Sequence, residues 1–343
     1  MEVAVASTDE VLALLDQPLD GAAVGAALEL GLFWLLESEP LDTRAVGTAL
    51  GIPATRCAAW LGLLHSVGFL DEAEASWRVS QFARESIIGG YSFETWRFLA
   101  QEARERFEAI SDLPASLRAP EARLAARGYV ERMAADPDRA RRFTRMLLEV
   151  HQGQADQVAA TLDLSGVRRL MDLGGGSGVV AMALVRRWPD LSATVVDIAN
   201  VCVTGREIVA EAGLGDRIGF YAADFTKDRI PGGFDAVLEC DVAVYSEPVL
   251  SRVLAALEPA GKFMVIDEFE PEEGASDRAR LGWRVVRTLT DPNWMPKTVA
   301  RTRDLLVRAG FQDLAESRLA RRRPGIGGRT AESTVLECRR PSL

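Results

Sequence analysis

Histidine and cysteine, on which most metal sites and many nucleophilic sites depend, are scarce in this sequence of 343 residues. It contains two histidines and four cysteines. The cysteines lie far apart at Cys57, Cys202, Cys240 and Cys338. Scattered thiols without paired spacing are typical of a reduced intracellular protein and argue against a disulfide framework. Neither histidine has an acidic partner at ligand spacing, so no metal site is predicted.

Excess positive charge and long apolar runs are also lacking. The formal net charge is −10, so no sequence-wide basic field exists to hold nucleic acid or anionic lipid. No apolar run reaches the roughly 18 residues that a membrane span needs. The start, MEVAVASTDEVLALLD, lacks the basic and apolar regions of a signal peptide. We therefore expect a soluble, cytoplasmic protein, and its 48% hydrophobic residues suffice for a real core.

The front half, residues 10 to about 160, has apolar residues at helical spacing. Residues 40–80 have the pattern of helix, turn, helix and short β-wing, with Asp42 or Thr43 capping the first helix. A winged helix suggests DNA binding, but the helix that would enter the groove has one arginine, Arg56, and is otherwise mostly apolar. A base-reading helix needs several polar and basic side chains. The composition favours burial against another subunit.

The pattern changes near residue 166, where short β-rich runs begin to alternate with helical segments. The seven runs are RRLMDL, ATVVDI, IGFYAAD, FDAVLECD, GKFMVIDE, FQDLAESRL and STVLECRR. Such alternation predicts βαβ units and a largely parallel sheet with helices on both faces. The last two runs are joined by ARRRPGIGGRTAE without a helix, which predicts an antiparallel hairpin at a sheet edge. We place the boundary between two domains at 160/161.

A glycine-rich turn, in LMDLGGGSGVV, stands between the first of these strands and a helix. Its glycines, Gly174, Gly175, Gly176 and Gly178, allow the backbone to approach a ligand closely. The helix that follows offers free N–H groups. Asp197 ends the second strand 25 residues after Asp172, where an acid can accept both hydroxyls of a ribose. The pattern indicates a nucleotide-type cofactor.

The choice of cofactor lies between a dinucleotide and S-adenosylmethionine. Val179 stands where the dinucleotide pattern needs its third small residue. Asp224 and Phe225 follow the third strand, and such a pair suits an adenine, with the acid at its amino group and the ring at its face. Each acid alone is more often a helix cap. The three features in register favour a bound cofactor over acids that only cap helices.

The segments LMDLGGGSG, VVDIANV, AADFTKD and LEPAGKFMVIDEF resemble successive motifs of class I S-adenosylmethionine-dependent methyltransferases. The front half, with AALELGLFWLLESEPLDTRAVGTALGIPATRCAAWLGLLHSVGFL, resembles the dimerisation domain of small-molecule O-methyltransferases of plant phenolic and bacterial polyketide type. The resemblance covers residues 10 to 340. It implies a Rossmann-like seven-stranded domain (161–343) after an all-α, winged-helix-like dimerisation and substrate-lid domain (1–160). It also implies a homodimer that binds S-adenosylmethionine and a small substrate.

The family's catalytic histidine is absent here. An ungapped match of VAVYSEPVLSRVL to the family's Leu-His-Asp-Trp motif puts Ala243 at the histidine and Tyr245 at the tryptophan beside the adenine. His151 and Asp241 are the candidates for a relocated base, although a lone helical histidine is usually structural and Asp241 is equally suited to capping the next helix. His65 is expected to be packed or at an interface.

The resemblance assigns further residues to the two ligands. The predicted cofactor-binding residues are Asp172, Gly174, Gly175, Gly176, Gly178, Asp197, Ile198, Asp224, Phe225, Glu239, Cys240 and Tyr245. The predicted substrate-facing residues are Phe143, Met146, Trp294 and Met295.

We therefore predict a methyltransferase of secondary metabolism that acts on a small aromatic or polyketide-like molecule, by O-methylation without the histidine base. C- or N-methylation, or a reaction other than methylation, are the alternatives. Displacement at a sulfonium methyl can rely on positioning, and a base matters most when the nucleophile is a phenol with a pKa near 10.

Overall fold

The computed structural model describes residues 7–119, 129–271, 278–291, 294–320 and 332–342. It divides into two compact units, Met1–Asp112 and Leu113–Leu343. This division falls earlier in the chain than the expected boundary at residue 160, because the helix Pro137–Thr161 packs on helices of the second unit. The assignment of separate functions to the two parts stays a prediction.

The first unit is mostly helical. Its elements are α1 (Thr8–Leu30), α2 (Leu32–Ser38), β1 (Leu41–Asp42), α3 (Thr43–Leu50), α4 (Ala54–Ser66), β2 (Leu70–Ala73), β3 (Ser76–Val79), α5 (Gln81–Ala83), a π turn (Arg84–Ile88) and α6 (Phe93–Ile110). The three short strands form an antiparallel sheet in the order β1-β3-β2. The Asp42 carboxylate accepts the Ala45 N–H at 2.7 Å and caps α3, as predicted. The helix–turn–helix and wing pattern is therefore present.

The second unit is an α/β unit. Its helices are α7 (Leu113–Arg118), α8 (Tyr129–Ala135), α9 (Pro137–Thr161), α10 (Val179–Arg187), α11 (Ala199–Glu211), α12 (Glu247–Ala256), α13 (Arg278–Thr290) and α14 (Val299–Arg308). Its strands are β4 (Arg169–Leu173), β5 (Ser192–Asp197), β6 (Ile218–Ala222), β7 (Phe234–Cys240), β8 (Leu257–Asp267), β9 (Gln312–Ala320) and β10 (Glu332–Arg339).

These seven strands form one sheet in the order β6-β5-β4-β7-β8-β10-β9. The first five along the chain are parallel, and β10 runs antiparallel to both β8 and β9. The predicted seven-stranded sheet with an antiparallel hairpin at one edge is confirmed. The connection within that hairpin, residues 321–331, lies outside the described residues.

The strand order reverses between β4 and β7, because the chain builds outward from β4 in one direction and then continues with β7 on its other side. In such sheets, ligands bind beyond the carboxyl ends of the strands at this point of reversal. Apolar side chains cover the sheet on both faces, and α10 is buried along most of its length. The sheet is therefore a rigid base for the loops that follow β4, β5 and β7.

No single described helix is long and apolar enough to cross a membrane. The segments Leu14–Leu30 and Leu32–Ser38, which meet at a bend of 61°, pass this test as a pair by length and composition.

Candidate functional site at the carboxyl ends of β4, β5 and β7

The glycine turn after β4 is shaped by backbone conformations that favour glycine. Gly174, Gly176 and Gly178 have φ of +72°, +55° and +75°. The Gly174 N–H donates to the Val196 carbonyl at 2.7 Å, which ties the turn to β5. A methyl group at Gly174 would overlap the Val242 side chain, and one at Gly175 would overlap the Asp172 carboxyl group. The turn is thus closed on one side by the loop after β7.

Asp172, on β4, is fully buried beneath this turn. Neither of its carboxylate oxygens has a hydrogen-bond partner among the described residues. Burial raises the pKa of Asp172 to about 7; the nearby Ala181 N–H, which lies outside hydrogen-bond geometry, opposes this shift, and the Asp197 carboxylate adds to it. An unsatisfied buried carboxylate costs free energy unless it meets a cation or a proton. Asp172 therefore suits a cationic ligand group in the turn.

Asp197 ends β5, as predicted. Its Oδ2 accepts the Gly176 N–H at 3.0 Å, and its Oδ1 accepts the Ile198 N–H at 2.7 Å. Burial raises its pKa to about 6, although both backbone N–H groups oppose this. A carboxylate oxygen accepts more than one hydrogen bond, so Asp197 can hold the glycine turn and still accept ligand hydroxyls.

Asp224 and Phe225 lie after β6 and are half-buried. The Asp224 carboxylate accepts the Thr226 hydroxyl at 2.6 Å and pairs with Lys227 at 3.0 Å. Burial pushes the pKa of Asp224 upward, but the hydrogen bonds from Thr226 and Lys227 outweigh it and leave the pKa below its usual value. Asp224 thus has local donors of its own, as a loop acid would, while Phe225 packs beside the core.

The helix α9 forms one wall near the glycine turn. Phe143 packs on a buried apolar cluster that includes Ile198, and Met146 is buried. Leu147 lies within contact distance of a methyl group built on Gly176. Sequence reasoning missed Tyr129, whose ring contacts Phe143 with centroids 5.5 Å apart. Tyr129 is 38% exposed, and partial burial together with the neighbouring Asp197 carboxylate raises its pKa well above the usual value.

The loop after β7 has an unusual backbone. Asp241 and Ala243 have φ of +57° and +67°, in the left-handed region that non-glycine residues seldom adopt. The Asp241 N–H donates to the Ile266 carbonyl, and its carboxylate accepts the Gln154 amide of α9 at 2.7 Å. The same Gln154 nitrogen lies 3.7 Å from the Cys240 sulfur. Gln154, which sequence reasoning missed, thus fixes the position of Asp241.

Glu239, predicted to line the adenosine pocket, is buried with its carboxylate directed into the protein. It accepts the Ala243 N–H and lies 3.0 Å from the Tyr245 hydroxyl. Tyr245 donates to Asp267 at 2.6 Å, and the Lys297 ammonium donates to the same Asp267 oxygen at 2.6 Å. Burial and the Asp267 carboxylate raise the pKa of Glu239 to about 8. Two buried acids, a phenol and the partly exposed Lys297 ammonium therefore form one network.

The remaining predicted residues are spread along the chain. His151 is half-buried on α9, three residues before Gln154 and therefore on the same face of the helix. Trp294 is half-buried, whereas Met295 is exposed. His65 lies in the first unit, where its Nδ1 hydrogen-bonds the Leu70 carbonyl, as a structural histidine does.

Known proteins resemble this chain in sequence and in fold. A family model for the O-methyltransferase domain matches residues 121–312. The 3-hydroxy-5-methyl-1-naphthoate 3-O-methyltransferase of Streptomyces sahachiroi is 31% identical over 318 residues, 88% of each chain. The N,N-dimethyltransferase OxyT of Streptomyces rimosus is 27% identical over 272 residues, 77% of this chain and 79% of the relative. The solved structure of the mitomycin 7-O-methyltransferase MmcR has a TM-score of 0.81 at 24% identity, and covers 96% of this chain and 97% of its own.

A parallel sheet whose strand order reverses, with a glycine turn after its first strand, defines an α/β enzyme that binds a nucleotide-type cofactor. The chain belongs to the O-methyltransferase family that the matching model describes, and it is an S-adenosylmethionine-dependent methyltransferase. The site fits this cofactor, which has a cationic ammonium and sulfonium and a ribose. Asp172 is a buried acid with no hydrogen-bond partner in the part of the chain that the structure describes, Asp197 has acceptor capacity to spare, and the glycine turn leaves room for close approach.

Proposed function

We propose that this methyltransferase modifies a small aromatic or polyketide-like molecule at a hydroxyl group. The observation that supports this most directly is its 31% identity to a naphthoate 3-O-methyltransferase across 88% of both chains. S-adenosylmethionine supplies the methyl group, as an electrophile attached to a sulfonium. The protein's part is to bind the two ligands, align them and exclude water.

For the cofactor, we propose the residues around the glycine turn. Asp172 faces the cationic end, Asp197 accepts the ribose hydroxyls, and Phe225 with Asp224 borders the adenine. Ile198 and Cys240 complete the walls of this pocket. Tyr245 contributes its ring as a wall, while its hydroxyl is used inside the protein.

For the acceptor molecule, we propose a pocket bordered by α9 and by the segment before α14. Phe143 and Met146 on α9, with Trp294 and Met295, supply apolar surface for an aromatic ring. The carboxylate of Asp241 is the polar group at this edge, held by Gln154. We propose that Asp241 orients the acceptor, and that proton removal by Asp241 or by His151 is secondary to alignment.

C- or N-methylation is the second candidate, and Ala243 is the observation that favours it. A methyl side chain at the usual position of the base cannot take a proton from a phenol. An amine or an activated carbon needs less help from a base at that point. The relative OxyT, named as an N,N-dimethyltransferase, shows that the relatives include such an activity.

The test is to incubate the protein with labelled S-adenosylmethionine and a panel of phenols, naphthols, amines and enolisable ketones. We expect label in a hydroxylated aromatic compound, together with S-adenosylhomocysteine. Label only in amines or at carbon would replace the first candidate by the second. If the cofactor binds but no compound of a broad panel is methylated, a reaction other than methylation would be favoured.

We further propose a homodimer formed through the first unit, in the cytoplasm, serving secondary metabolism. The first unit has an open apolar groove of about 460 Å³ between α1 and α6, with Val24, Leu28, Phe69, Trp96 and Leu99 in its lining. Several large apolar side chains of α1 are also exposed; they are Val11, Leu12, Leu14, Leu15 and Leu19. Contiguous apolar surface of this kind normally marks an interface.

A further inference from the structure

The Tyr245 hydroxyl has one proton, but it lies within hydrogen-bond distance of two carboxylate oxygens. The Tyr245 hydroxyl lies 2.6 Å from an Asp267 oxygen and 3.0 Å from a Glu239 oxygen. A phenol has a single O–H, and ionised carboxylates are acceptors only. If both acids were ionised, one of these two contacts would bring lone pairs together in a buried site. One of the acids must therefore hold a proton.

The other donors show which acid this is. Asp267 Oδ1 accepts the Glu268 N–H at 2.7 Å, and Asp267 Oδ2 accepts the Lys297 ammonium at 2.6 Å. Asp267 thus has two donors before Tyr245 is counted, which suits an ionised carboxylate. Within the described residues, Glu239 has one backbone donor, the Ala243 N–H, on Oε1. Every contact has a donor if Glu239 donates to Tyr245 and Tyr245 donates to Asp267.

This network is linked to the glycine turn through the loop after β7. Glu239 holds Ala243, one of the two residues in the left-handed conformation. Between that residue and Asp241 stands Val242, whose side chain packs against Gly174. Glu239 itself pairs with Leu173, the last residue before the turn. A change at Glu239 therefore reaches the turn through directly connected residues.

We propose that Glu239 is a positioning residue that works in its protonated, neutral form. With Tyr245, Asp267 and Lys297, it holds the loop Cys240–Val244 against the glycine turn and so sets the affinity for the cofactor. When Glu239 loses its proton, its carboxylate faces the Tyr245 lone pairs and the Asp267 charge, and the loop loses this support. The inference rests on the proposed placement of the cofactor at the glycine turn.

The charged and titratable groups that face Glu239 come from three places. Asp267 at the end of β8 disfavours its ionisation, and Lys297 from the segment before α14 favours it. Tyr245, from the loop itself, stays protonated because burial and both acids raise its pKa well above the usual value. Asp241 acts on Asp267 and raises its pKa, after the larger effect of burial. The only cation in this set is Lys297.

The experiment measures binding of S-adenosylhomocysteine to the full-length protein by calorimetry between pH 7 and pH 9, and needs no acceptor. In the wild type, the neutral fraction of Glu239 falls about tenfold over this range, since its pKa is about 8. We expect the dissociation constant to rise by about the same factor.

The decisive variant is Glu239→Gln, because an amide has the shape and the hydrogen-bond pattern of the neutral acid. Its oxygen accepts from Ala243 and its NH₂ donates to Tyr245, at any pH in this range. We expect the ratio of wild-type to variant dissociation constants to increase about tenfold from pH 7 to pH 9. The ligand's own amino group titrates equally with both proteins and cancels in this ratio. Glu247→Gln, an exposed acid on α12, is the matched control and should follow the wild type.

The outcomes separate the inference from the proposed function. A pH-independent ratio would show that the protonation state of Glu239 does not affect the affinity. Binding by Glu239→Gln that is more than tenfold weaker at pH 7 would show that Glu239 acts as a carboxylate. Either result would overturn the inference and leave the proposed cofactor site in place. A Glu239→Ala variant that binds like the wild type at pH 7, with an unchanged thermal unfolding midpoint, would also overturn it. Absence of binding by every variant and by the wild type at all pH values would instead reject the proposed cofactor site.

Discussion

At the scale of single residues, the acids near the glycine turn differ in how far the fold already satisfies them. Asp224 has donors from Thr226 and Lys227, and Asp197 has two backbone N–H groups. Asp172 has no partner among the described residues. An acid with little internal support gains most from a ligand, because its desolvation is not otherwise offset. Asp172 is therefore the acid that gains most from a bound cofactor.

We predict that Asp197→Ala weakens S-adenosylmethionine binding by about 1.5–3 kcal/mol, since charge-assisted hydrogen bonds to the ribose are lost. Titration calorimetry measures this directly. Asp190→Ala, at an exposed turn before β5, is the control and should bind normally. Unchanged affinity in Asp197→Ala, with an unchanged unfolding midpoint, would mean that the ribose lies elsewhere.

The roles of Asp241 and His151 lead to a second prediction at this scale. If alignment dominates the chemical step, Asp241→Asn and His151→Ala should each slow single-turnover methyl transfer less than about tenfold, and the pH profile should keep its shape. Loss of a true general base costs roughly 10²–10⁴-fold. A loss of that size in either variant, with cofactor affinity intact, would identify a relocated base and contradict the alignment proposal.

At the scale of elements, the glycine turn and the loop after β7 act as one structure. Gly174 has a positive φ and also packs tightly on Val242. Gly213, after α11, has a similar φ of +70° but nothing within 4 Å of an added methyl group. The two positions therefore share the conformational strain and differ in the steric contact.

We predict that Gly213→Ala destabilises the protein by about 1–2 kcal/mol through strain alone. Gly174→Ala should lower the thermal unfolding midpoint further and should also weaken cofactor binding, because the loop must move away from the turn. Equal midpoints for the two variants, with cofactor affinity retained in Gly174→Ala, would show that the turn and the loop are independent.

At the scale of the whole molecule, the buried acids link stability to pH. Burial raises the pKa values of Asp172, Asp197 and Glu239 to about 7, 6 and 8, above the values near 4 of the unfolded chain. The folded state then binds more protons than the unfolded state between about pH 4 and pH 8. Stability from these groups is full below pH 4 and is lost as pH rises through the folded pKa values.

For the ligand-free protein we therefore predict a lower unfolding midpoint at pH 8 than at pH 6. Scanning calorimetry at fixed ionic strength measures the difference. Asp172→Asn should reduce this slope, because one of the three groups no longer titrates. A midpoint that rises from pH 6 to pH 8 would contradict the assignment of raised pKa values.

The proposed dimer is tested by sedimentation at micromolar concentration, where we expect a species of twice the 37.3 kDa chain mass. Leu15→Glu, on the exposed apolar face of α1, should favour the monomer, because a charge would be desolvated at the interface. Val307→Glu, also at an exposed apolar position but on α14 of the second unit, should leave the dimer intact. A wild-type monomer at this concentration would reject the proposal.

The sequence by itself determined the order of elements, the seven-stranded sheet and the place of the glycine turn. These follow from local signals: the period of apolar residues, and glycines where a turn needs a positive φ. The terminal hairpin was also predictable, because a short connection without a helix cannot return a strand in parallel. The family followed from the same motifs in their order.

Only the tertiary structure decided how the polar residues of the site are used. Glu239 was expected at the cofactor, and this stays a prediction; the structure adds that its carboxylate contacts Tyr245, which in turn contacts Asp267 and through it Lys297. Gln154 and Tyr129 had no signal in the sequence, since each is an ordinary residue of an amphipathic helix. Partners such as Gln154 and Asp241 stand 87 positions apart along the chain. Local periodicity cannot report such a contact, because it forms only when the strands have paired and the helices have packed.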